Sequence, residues 1–91
     1  MSSFPGLPGS DLITQGLADL AGDVPSVEAL LVSIGAPRLR QLGITVTRAL
    51  PDAEHQLYAL LAAADSDTAH SRYNALIRRL VSFERALACV S

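Results

Sequence analysis

The sequence predicts an all-α fold: a small array of four main helices plus one short helix, packed around a long C-terminal helix. Three observations carry this reading. From Ala69 onward the apolar residues Ala69, Tyr73, Leu76, Leu80, Phe83, Leu87 and Val90 follow one another in alternating steps of four and three. That is the seam of a helix packing lengthwise on another helix. Upstream, Gly22, Pro25, Gly35, Pro37, Gly43 and Pro51 cut the chain into helix-length pieces, since glycine and proline stop helices or open them. The stretch that looks most like a strand, Ile44 to Thr47, is four residues long and makes at most an extended connection.

Residues 1–9 read as an extended N-terminal arm and 10–91 as a single helical domain. Pro5, Gly6, Pro8 and Gly9 forbid a helix in the arm. Phe4 and Leu7 are its apolar side chains, expected to dock on their own domain or on a second chain. Ser10 is expected to cap the first helix, with Asp11 in its first turn and Leu12, Ile13, Leu17, Leu20 and Ala21 as its buried stripe. Gly16 in mid-helix costs helix propensity, and the compensating reason is a close helix–helix approach. Pro25 and Ser26 open a second helix that Gly35 ends, and Pro37 starts a short third one closed by Gly43. Pro51 opens the fourth, whose expected buried face is Ala53, Leu57, Leu60, Leu61 and Ala64. A short connection at Asp65 to Asp67 then makes an antiparallel hairpin with the last helix.

Composition narrows the function classes. A chain of 91 residues is one domain, able to bury about 63% of its unfolded surface. Hydrophobic residues make up 49% of it, which leaves apolar surface to spare for a partner. On the last helix, Ile77, Val81 and Ala88 widen the apolar arc to roughly half the circumference. That is more than one neighbouring helix covers, so a homodimer or a protein partner is expected. The residues expected at such a contact are Phe4, Leu7, Tyr73, Ile77, Leu80, Val81 and Glu84. Glu84 is the odd member: it falls at the apolar edge, where a carboxylate needs a cationic partner or water.

A net charge of −2 speaks against nucleic-acid binding by bulk electrostatics. All seven basic residues are arginine, a composition that suggests a GC-rich bacterial genome. The single cysteine, Cys89, excludes an internal disulfide and fits a reducing, cytoplasmic location. No basic-then-apolar leader opens the sequence, and the longest apolar run, Leu57 to Ala64, is too short to span a bilayer.

Chemistry-bearing patterns are few. Asp52/His55 and Asp67/His70 each put a carboxylate and an imidazole on one face of a first helical turn. The two pairs fall at opposite ends of an antiparallel hairpin, about 12–15 Å of helix rise apart, so each reads as a first-turn structural pair. No nucleophile triad, HExxH, CxxC or phosphate-cradling glycine loop occurs. No catalytic residue, metal, cofactor or small-molecule substrate is therefore expected, and the chain reads as a non-enzyme.

One stretch offers a second functional reading. Ser33-Ile34-Gly35-Ala36-Pro37-Arg38-Leu39-Arg40-Gln41-Leu42 ends one helix at hydrophobic–Gly–hydrophobic and restarts at once, which resembles a helix-hairpin-helix turn. The resemblance implies backbone amides at Gly35 meeting a DNA phosphate, with Arg38 and Arg40 as added cations. The stretch departs from that pattern at Ser33, at Leu39 and at Pro37, which removes an amide donor. A tight corner between two core helices is the plainer reading. The primary expectation is thus a protein-interaction module, self-associating or bound to a partner in a regulatory or antitoxin-like role. A small DNA-binding regulator using residues 33–42 is the alternative.

Overall fold

The computed structural model describes residues 6–46 and 48–90; Phe4 and Thr47 lie outside them. Four helices account for most of it: α1 (Ser10–Ala21), α2 (Val27–Gln41), α3 (Ala53–Ala64) and α4 (Ala69–Val90). Among the described residues there is no strand. The molecule measures 38 × 24 × 20 Å. At 1.5 Å per residue, α4 is about 33 Å long and runs almost its full length.

The helix that packs most extensively against the other three is α2. Its residues Ala29 to Ser33 are buried without a gap, followed by Gly35, Ala36 and Leu39. Such a run leaves no solvent face over the middle of the helix. Ile13 and Leu20 of α1, Leu57 and Leu61 of α3, and Leu80, Phe83 and Leu87 of α4 complete the core. The α1–α2 contact is tight because Gly16 carries no side chain. A Cβ there would stand 2.4 Å from both the Glu28 carbonyl oxygen and Val32 Cγ2.

The start of α2 is fastened as its sequence suggests. Ser26 Oγ accepts from the Ala29 amide at 3.0 Å and donates to Asp19 of α1. The start of α1 differs from expectation. Ser10 is the first helical residue, and the cap is Gly9, whose φ of 77° suits glycine. Gly9 also lies where a Cβ would meet the Arg79 carbonyl oxygen at 2.9 Å. Leu7, just before it, packs half-buried on the chain's own core.

Two further expectations are corrected. The break at Gly35 and the short third helix are not present: α2 runs unbroken to Gln41, with Pro37 inside it. Pro37 is exposed, while Ala36 and Leu39 beside it are 1% and 0% exposed. Burying a leucine contributes about 1.5–3 kcal/mol. Continued burial on both sides of the ring offsets most of the roughly 3 kcal/mol that proline costs in a helix interior. The second correction concerns α3, where Leu60 (41% exposed) and Ala64 face solvent. Its buried positions are Ala53, Leu57 and Leu61, a narrow stripe at spacing four, because only α2 and α4 pack against it.

The α2–α3 connection is pinned rather than loose. Arg40 donates from Nε and Nη2 to the Val46 carbonyl, at 3.0 and 2.7 Å. Ser33 Oγ donates to the Ala29 carbonyl and accepts from the Leu50 amide at 2.9 Å. Ile44 and Val46 are buried under that connection.

Candidate interaction surface

The face of α4 that holds Ala69, Leu80, Phe83 and Leu87 is buried within the chain. Two flanks remain. On one lie Tyr73, Ile77, Val81 and Glu84, all half-buried. Tyr73 meets Tyr58 of α3 with ring centroids 5.8 Å apart and planes tilted by 58°. Burial, with Glu54 adding to it, pushes the Tyr73 hydroxyl above the ordinary tyrosine range, so it stays neutral at physiological pH. Of the residues expected at a contact, Leu80 and Leu7 are taken up by the chain's own core. The other four described ones form this flank, and Phe4 lies outside the described residues.

Glu84 is held against α2. A Cβ on Gly35 would stand 3.1 Å from its Oε2 and 2.8 Å from Leu80 Cδ1. Desolvation pushes the Glu84 carboxyl above the usual carboxylate range, and Arg38 pulls it partly back. Because folding raises this pKa, the folded chain binds the proton more tightly than the unfolded one. Stability from this group is therefore whole below the unfolded value and is lost as pH climbs through the folded value. Glu84→Gln should raise the melting temperature at neutral pH, with the gap closing as pH falls to about 4. Melts across that range, followed by circular dichroism, check it; a gap that widens in acid would contradict the assignment.

The stretch 33–42 has no turn to present. Gly35 is buried in mid-helix, where backbone amides are spent on the helix itself. Arg38 donates to Gln41 Oε1 at 3.3 Å, and Arg40 is engaged by Val46. Asp52 and His55 pair at 3.4 Å, both largely exposed, while His70 Nε2 contacts Asn74 at 3.1 Å. No group of three or more metal-ligating side chains occurs among the described residues. Cys89 is exposed. No described helix is long and apolar enough to cross a membrane.

The other flank of α4 holds what the sequence reading missed. An open groove of about 410 Å³ runs between α1, α2 and α4. Leu12, Val27 and Leu76 supply apolar walls, and Ala75 adds a small side chain. Arg72 and Arg79 stand on the α4 lip, and Glu28 on the α2 lip. Arg79 Nη2 reaches Asp11 Oδ1 at 3.4 Å, with both side chains at least half exposed. Arg72 and Glu28 form no side-chain ion pair among the described residues.

The charge is also unevenly spread. Of seven arginines and nine carboxylates in the chain, α4 holds four and one. Its arginines Arg72, Arg78, Arg79 and Arg85 are all exposed, whereas its one acid, Glu84, is turned toward α2. A net charge near zero thus conceals a cationic ridge on an otherwise acidic molecule. The signal was present as two arginine pairs at spacing seven, 72/79 and 78/85. No family model, curated protein or solved structure matches the chain.

Proposed function

We propose that the chain is a non-catalytic protein-interaction module that presents the outer side of α4. The observation that supports this reading is the pairing of apolar and cationic surface along that helix. Its inward face is satisfied by the chain's own core, while two of its four exposed arginines, Arg72 and Arg79, border an apolar groove. Solvated arginines alone are ordinary on a helix. Arginine bordering a concave apolar surface is the composition that protein interfaces favour.

An epitope-tagged chain expressed in its own cells should elute from size exclusion heavier than a single 91-residue chain. Light scattering of the purified chain then separates self-association from capture of a partner. Elution as a lone chain in both settings would sink the reading.

A further inference from the structure

We propose that the α1–α2–α4 groove receives an amphipathic helix of a partner protein, with carboxylates along the edge that meets Arg72 and Arg79. This rests on the interaction-module reading and names the partner's chemistry. A helix docks by laying its apolar face in a groove, with anchors on successive turns. Here Leu12, Val27 and Leu76 offer such a seat. Arg72 and Arg79 are seven residues apart on α4, about 10.5 Å of rise, which matches carboxylates seven apart on an incoming helix. The Arg79–Asp11 contact is long and exposed, so Arg79 exchanges partners at little cost.

Charge complementarity decides the sign and the shape of the ligand. Two arginines on one lip call for carboxylates, but Glu28 on the opposite lip repels a second anionic edge. The occupant is therefore acidic along one side only. Duplex nucleic acid, with phosphates along both edges, fits that arrangement poorly.

The test uses a fluorescein-labelled peptide of about 18 residues, long enough to be helical. It carries leucine every third or fourth position, glutamate on one flank and lysine on the other. The expected result is micromolar binding to the wild-type chain by anisotropy, at least tenfold weaker for the same peptide with every glutamate changed to lysine. Arg72→Glu/Arg79→Glu and, separately, Ala75→Trp should abolish it at unchanged melting temperature, since all three positions are exposed.

Failure of the glutamate peptide to bind, or binding indifferent to these substitutions, would overturn the proposal. So would arginine-dependent binding of duplex DNA at physiological salt, or a dimer of the chain that Ala75→Trp dissolves. In the extract, a wild-type chain eluting alone sinks the module reading itself. An Ala75→Trp chain that keeps its heavier complex leaves that reading standing and removes the groove.

Discussion

Gly16→Ala should destabilise the chain by about 1–3 kcal/mol or more, although alanine is the better helix former by about 1 kcal/mol. The added methyl would sit 2.4 Å from the Glu28 carbonyl oxygen, 2.4 Å from Val32 Cγ2 and 2.9 Å from the Glu28 carbonyl carbon. Ordinary contacts begin at 3.4 Å, so α1 and α2 would have to part by about an ångström. Two of the three obstructing atoms are backbone, which cannot rotate away as a flexible side chain can. Parting the helices loosens Ile13 and Leu20 from Leu31 and Val32, all buried. Overpacking usually costs about 1–3 kcal/mol, occasionally more, and a domain this small has little beyond about 5 kcal/mol to lose. Urea titration followed by circular dichroism measures it. Ala18→Gly, on the exposed side of the same helix, should cost about 1 kcal/mol and serves as the comparison. A Gly16→Ala chain as stable as wild type would show that α1 does not meet α2 at this point.

Leu80→Asp should be comparably severe. Leu80 is 4% exposed and fills the space left open by Gly35. The change forfeits about 1.5–3 kcal/mol of apolar burial. It also brings a carboxylate into the core, four residues from Glu84, whose own charge is already disfavoured there by burial. Neighbouring Arg78 is exposed, and Arg78→Ala should stay within about 0.5 kcal/mol of wild type. Thermal melts of the two variants give the orientation of α4 directly. Matching melting temperatures for Leu80→Asp and wild type would mean that the helix faces the other way.

How much of this was legible in the sequence depended on whether the deciding contact was local. The seam of α4, the opening of α2 at Pro25–Ser26 and the close approach at Gly16 were readable because periodicity, helix-opening residues and a costly mid-helix glycine each act within one or two turns. The continuity of α2 was not. Gly35-Ala36-Pro37 is strong local punctuation, and what overrules it is burial of Ala36 and Leu39 among residues distant in sequence. Leu60 and Ala64 failed for the converse reason: an apolar side chain on a helix does not say whether a neighbour will cover it. The groove was the least accessible feature. Its walls come from Leu12, Val27 and Leu76, which only the packed fold brings together.

The concentration of arginine on α4 has a kinetic consequence. A molecule with a cationic ridge and an acidic remainder carries a large dipole even at a net charge of −2. An anionic body drifting toward it is turned before it touches, so encounter is biased toward the correct face. Added salt shortens the reach of that field to about 10 Å at 0.1 M. For any acidic ligand of α4, rising ionic strength should therefore slow arrival far more than it hastens departure, and pulling the ridge apart by charge reversal should abolish that slowing.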